Sequence, residues 1–182
     1  KLNRKRKGKR RLPARIKQPL AQQHLINQIW SMDFMSDSMV GNRKFRTFNV
    51  MDDGSREVLA IEVDTSLSAK RVIRTLNRII QERGKPRIIR SDNGPEFTSK
   101  DLALWSKDNA IEIQFIQPGK PMQNGYIERF NRLYREAVLD AYLFFELNEV
   151  RTLTEEWMEE YNNRRPHESL QNQTPNEWKI NL

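Results

Sequence analysis

The chain has 182 residues, enough for one domain with a real core, and its 37% apolar and 31% charged side chains place it among polar globular proteins. With no Cys and only His24 and His167, disulfides and a Cys/His zinc finger are excluded, and no run approaches the roughly 18 to 20 apolar residues of a membrane span. The net charge of +8 is concentrated at one end: residues 1 to 17 hold ten of the 32 Lys and Arg and no acid, leaving 22 basic against 24 acidic residues beyond them.

A basic arm ahead of a near-neutral domain, here with Lys5, Arg6, Lys7, Arg10 and Arg11 at its centre, is the footprint of contact with a phosphate backbone. A solubilising tail is the competing reading. No apolar stretch follows the charges, so no signal peptide is expected. Leu12-Pro13 to about Gln28 reads as polar linker. The arm and linker are assigned to residues 1–25 and the core to 26–182, with the first strand opening near Ile29.

In Ile29-Trp30-Ser31-Met32-Asp33-Phe34 the alternation puts Trp30, Met32 and Phe34 on one face and Asp33 on the other. Residues 44–51 and 58–63 read as two further strands joined through the turn Asp52-Asp53-Gly54-Ser55. From Ser68 the period changes: Val72, Ile73, Leu76, Ile79 and Ile80 make a helical face that Gly84 and Pro86 close. Arg87-Ile88-Ile89-Arg90 is a short strand that delivers Asp92, and Thr98 or Ser99 caps a second helix running to about Asp108. Ile111, Ile113 and Phe115 alternate with Glu112 and Gln114 as the next strand. The Pro/Gly-rich run Gln117 to Gly125 is expected to be a mobile loop.

Beyond that loop, Ile127, Phe130, Tyr134, Ala137, Val138 and Ala141 form an apolar stripe, with Glu128, Asn131, Arg132 and Arg135 on the opposite polar face. A last helix, capped near Asn148, is predicted to bury Val150, Leu153, Trp157, Met158 and Tyr161 before a tail Arg164-Arg165-Pro166-His167. Three acids stand out from this order. Asp33 and Asp92 have 58 residues between them, and Asp92 and Glu128 have 35, so a fold and not a local loop must assemble them. Carboxylates are the hard oxygen donors that Mg²⁺ requires, and a pair of such ions can neutralise the charge of a phosphodiester under attack.

Five stretches resemble bacterial insertion-sequence transposases of the OrfB type, within the retroviral-integrase-like DDE superfamily. They are Trp30-Ser31-Met32-Asp33-Phe34, Ser91-Asp92-Asn93-Gly94-Pro95-Glu96-Phe97, Gln117-Pro118-Gly119-Lys120-Pro121, Asn124-Gly125-Tyr126-Ile127-Glu128-Arg129-Phe130-Asn131 and Tyr161-Asn162-Asn163-Arg164-Arg165-Pro166-His167. The resemblance implies an α/β ribonuclease H-like fold with a mixed five-stranded sheet flanked by helices. It implies that Asp33, Asp92 and Glu128 are the catalytic, metal-binding triad, with two Mg²⁺ ions for which Mn²⁺ can substitute. It also implies cleavage that frees a 3′-OH, joining by attack of that hydroxyl, and a circular intermediate.

The partners so implied are double-stranded DNA, as element terminal repeats and target, and further copies of the chain on that DNA, in a bacterial cytoplasm. An end-recognising domain is expected upstream of Lys1. Lys120, Asn124, Gly125 and Arg132 are candidate DNA contacts, as are Arg129 and Arg135, while Asn93 and Gly94 are expected to shape the turn at Asp92 and His167 to be structural. Asp52 is either a turn former or a support for the triad. The rival functions are a ribonuclease H-like nuclease without joining and a catalytically silent, domesticated DNA-binding protein.

Overall fold

Trp30 and Met32 are fully buried on one face of the first strand, while Ser31 and Asp33 take the other, as alternation requires. The computed structural model describes residues 25–117 and 124–181, and in it this strand is β1 (Ile29–Ser38), the centre of the sheet. It is followed by β2 (Lys44–Asp52), β3 (Val58–Asp64), α1 (Ala69–Arg83), β4 (Ile88–Ser91), α2 (Lys100–Asp108) and β5 (Glu112–Phe115). Then come α3 (Gly125–Tyr134), a π-helical turn (Arg135–Leu139), α4 (Leu147–Asn163), a 3₁₀ turn (Glu168–Leu170) and α5 (Pro175–Ile180).

The five strands are ordered β3-β2-β1-β4-β5. The first three pair antiparallel, and β4 and β5 add in parallel, so α1 and α2 serve as the crossovers that parallel pairing needs. On one face Trp30, Met32, Phe48 and Ile89 pack with Val72, Leu76 and Ile79 of α1 and Leu102 and Trp105 of α2. On the other, Met35, Phe45 and Met51 pack with Ile127, Phe130 and Tyr134 of α3 and Val150 and Tyr161 of α4. Each large side chain buried in this way contributes about 1.5–3 kcal/mol. The mixed, helix-flanked sheet is therefore stiff on both sides of the strand that carries Asp33.

The first turns and caps follow from local chemistry. Ser99, not Thr98, caps α2 by accepting from the Leu102 N–H. Gly84 ends α1 at φ 78, in a region that side chains rarely adopt, and its N–H returns to the Ile80 carbonyl. Gly54 is required for space, since a Cβ there would lie 2.3 Å from the Leu25 carbonyl oxygen. The end of the presumed linker is thus docked: the Asn27 N–H donates to Asp52 and the Trp30 indole donates to Asn27.

Several expectations are corrected. The polar-face assignment fails for Asn131, which is buried. The stripe on α3 ends at Leu139 and leaves Ala141 exposed beyond the π turn. The cap of α4 is Glu146, which exchanges hydrogen bonds with Glu149 as a capping box, and not Asn148. Residues beyond Asn163 are no plain tail, because His167 bridges to Gln173 and α5 starts on a second capping box from Thr174 to Glu177. Phe115, assigned to the apolar face of β5, is 38% exposed at the sheet edge. Lys5, Arg6, Lys7, Arg10, Arg11, Lys120 and most of the Gln117–Gly125 loop lie outside the described residues.

Candidate active site

Parallel pairing of β1 with β4 sets Ser31 opposite Arg90. Asp33 follows two residues later on β1, Asp92 stands exposed just past the end of β4, and the Asp92 charge acts on Asp33. The Asp92 Oδ1 accepts from the Gly94 N–H at 2.9 Å. A Cβ at Gly94 would come within 3.1 Å of that oxygen, and the Asn93 amide reaches the Ile116 carbonyl. Asn93 and Gly94 therefore shape the turn that presents Asp92.

Asp33 is half-buried, and both of its oxygens are held. Oδ1 accepts from the Phe34 N–H at 2.8 Å and Oδ2 from the Asn131 amide at 2.8 Å. The oxygen of Asn131 in turn accepts from Asn49 at 2.7 Å, and Asn49 is the residue opposite Asp33 across β1 and β2. Asn131 lies three residues after Glu128 on α3, so the helix that carries the exposed third acid is fastened to the first. Burial raises the Asp33 carboxyl to about 6, opposed by the Phe34 N–H and reinforced by the negative charges of Asp92 and Glu128.

An acid whose carboxyl is raised in the fold stabilises it only while protonated. Its contribution is present below the unfolded value near 4 and is lost as pH rises through about 6. In chelator, the Tm of Asp33→Asn relative to the native chain is therefore expected to climb between pH 4 and 7, on the order of 5 °C. Thermal unfolding across that range checks it, and a pH-independent difference would contradict it.

Does this set suit a metal? Among the described residues none of the three acids is ion-paired, and no three His, Asp or Glu side chains already converge on one point. Asp33, Asp92 and Glu128 are nonetheless near enough for the charges of the last two to act on the first. Three hard oxygen donors that repel one another, with no ion pair to any of them among the described residues, fit a divalent ion such as Mg²⁺. Magnesium would be held by these three carboxylates.

The other expected residues divide. Asn124 stands at the N-cap of α3 but makes no capping hydrogen bond, and its buried Oδ1 has no partner among the described residues. Gly125 opens the helix, while Arg129 and Arg132 are exposed. Arg135 is engaged with Asp37, the Ser36 carbonyl and Asp140. Asp52 accepts from the N–H groups of Asn27 and Gly54, which is the turn-forming role. His167 packs edge-on against Tyr161, and burial with the charges of Arg165, Arg129 and Arg56 lowers it to about 4, so it is neutral at pH 7.

Sequence reasoning missed Asn49, Asn131 and the buried Asp53, which accepts from Ser31 at 2.7 Å and pairs with Arg90 at 3.0 Å. Burial raises the Asp53 carboxyl to about 6 against those partners. Alternation offered a signal for Asn49, since it shares its face with the apolar Phe45 and Met51.

The mixed, helix-flanked sheet has counterparts among known proteins. The chain matches the integrase core domain over residues 23–121, and a second match of the same description covers residues 109–175; it belongs to that family. It is 38% identical over 181 residues to an uncharacterized 39.2 kDa protein of insertion element IS476 from Xanthomonas euvesicatoria, covering 100% of this chain and 52% of that protein. It is 39% identical over 152 residues to an uncharacterized 31.7 kDa protein of insertion element IS407 from Burkholderia multivorans, covering 84% and 55%. The resemblance to insertion-sequence proteins is borne out, and the chain spans about half the length of these relatives. The HTLV-2 integrase catalytic core domain in complex with magnesium, in its dimeric form, has a TM-score of 0.67 and 21% identity, over 88% of this chain and 100% of that one. The fold is accordingly ribonuclease H-like. Among the described residues no helix is long and apolar enough to cross a membrane.

Proposed function

We propose that this domain cuts DNA at the ends of an insertion sequence and joins the freed 3′-OH to another phosphodiester, with Asp33, Asp92 and Glu128 as its catalytic acids. The observation that carries the reading is the parallel pairing of β1, which holds Asp33, with β4, which ends one residue before Asp92, and the fastening of the Glu128 helix to Asp33 through Asn131. Mg²⁺, expected as a pair and replaceable by Mn²⁺, would supply charge neutralisation at the attacking and leaving oxygens.

The protein's own contribution is position. The Phe34 N–H and Asn131 fix the Asp33 carboxylate in one orientation, the Gly94 N–H holds one oxygen of Asp92, and the core beneath β1 keeps the strand that carries Asp33 in place. Such preorganisation is most of what phosphoryl transfer needs. The first N–H groups of α3, from Gly125 onward, and Arg132 on its surface are suited to backbone phosphate. No side chain is required to form a covalent bond to DNA. Copies of the chain would assemble on the two ends.

Incubation with Mg²⁺ and a duplex carrying the cognate terminal repeat tests this. Appearance of a new 3′-OH end and of joined product is expected, whereas cutting without joining would favour the nuclease. The arm supplies sequence-independent affinity. Removing residues 1–17 should weaken binding to all duplexes and reduce the salt slope by about 0.9 for each phosphate released. Binding measured across a salt series checks this, and an unchanged slope would show that the arm does not touch the backbone.

A further inference from the structure

We infer that Arg56 is a positioning residue for Glu128, acting through the ring of Tyr126; the inference rests on the reading of Glu128 as a metal-holding acid. Arg56 lies in the turn between β2 and β3 with φ 60 and is only 5% exposed. A non-glycine residue in that backbone region is uncommon, and a buried guanidinium needs compensation, which the charge of Asp53 supplies in part. Among the described residues the Arg56 Nε and Nη1 find no hydrogen-bond partner. What it does make is a stacking contact, with its Cζ 3.6 Å from the centroid of the Tyr126 ring.

Tyr126 is in the first turn of α3, two residues before Glu128, and that turn has no side-chain cap because Asn124 makes no capping bond. The base of Arg56 is firm by contrast. The Asp52 N–H donates to the Glu57 carbonyl and the Asp53 N–H to that of Ile29, both at 2.9 Å. Asp53 is tied to Ser31 and Arg90, Glu57 to Arg83 and Lys179, and Val58 to both ends of the Asn162 amide. A rigid turn thus presents a cation to the one aromatic ring at the uncapped start of the helix. This also gives Asn162, in the Tyr161-to-His167 motif, a part in the site: it pins the residue two positions after Arg56.

The test is amide hydrogen exchange at residues 129–132, whose N–H groups close the first turn of α3, in protein free of metal and DNA. Arg56→Met and Tyr126→Leu should each speed exchange there by roughly tenfold, the scale of a desolvated cation–π contact. Tyr126→Phe keeps the ring and should stay near the native rate. The double variant should be no faster than either single, since the two residues form one contact. Joining of a pre-cut end should fall in the same variants, with DNA binding retained.

Unchanged exchange in both single variants, or additive effects in the double, would overturn the inference. If Arg56→Met does not fold, the Tyr126→Leu and Tyr126→Phe pair decides the matter from the helix side. Because exchange is read without metal or DNA, a native chain that failed to join DNA would overturn the proposed function and leave the exchange result standing.

Discussion

Asp33→Asn, Asp92→Asn and Glu128→Gln are each expected to lower both strand cleavage and joining of a pre-cut 3′ end by roughly 10²–10³-fold or more, the scale of removing one transition-state-stabilising group. The fold should survive all three. Asp92 and Glu128 are exposed, and Asp33 loses at most one of its two hydrogen bonds while shedding a charge that burial disfavours. Loss of both steps together is the informative outcome, because one set of acids is asked to serve two reactions. Single-turnover assays on intact and pre-cut duplexes separate the steps, with thermal unfolding as the control. A variant that still joined a pre-cut end at the native rate would remove that residue from the shared site.

Asn162→Ala is expected to destabilise the fold by about 2–4 kcal/mol. Its side chain accepts from the Val58 N–H and donates to the Val58 carbonyl, both at 2.9 Å, across 104 residues of sequence. Both partners are buried at the start of β3, so truncation leaves a backbone donor and acceptor without water or protein to satisfy them. The neighbouring Asn163 is exposed; its amide donates to Glu159 in its own helix, and its oxygen accepts from Asn176 of α5, with no buried backbone group depending on it. Asn163→Ala should therefore cost no more than about 0.5 kcal/mol. Urea unfolding of the pair checks the contrast, and equal losses would show that the Val58 clamp is not what holds α4 to the sheet edge.

The parts of the fold that sequence revealed are those governed by one dominant period. Alternation around Trp30 and Met32 marked β1, and the spacing of Val72, Leu76 and Ile79 marked α1, because a single apolar face decides each element. Helix α5 was missed although Thr174-Pro175-Asn176-Glu177 carries a capping box and a Pro at the helix start; six residues are too few to display a period. Asn131 was placed on a solvent face because its polarity fits that face. In the fold, the same polarity is what Asp33 and Asn49 require of a buried neighbour. The proposed site was legible as three acids in motifs that resemble a known family, but the amides around Asp33 were not. Hydrogen bonds between side chains 98 and 82 residues apart leave no trace in local pattern.

The most direct test of the central claim is anomalous diffraction from crystals of the domain with a pre-cut end and Mn²⁺. Ordered manganese is expected at the carboxylates of Asp33 and Asp92, with Glu128 drawn to the same site and oxygen ligands at about 2.1 to 2.2 Å, near the distances typical of Mg²⁺. Manganese bound elsewhere, with these three acids unliganded and the end still joined in the crystal, would contradict it.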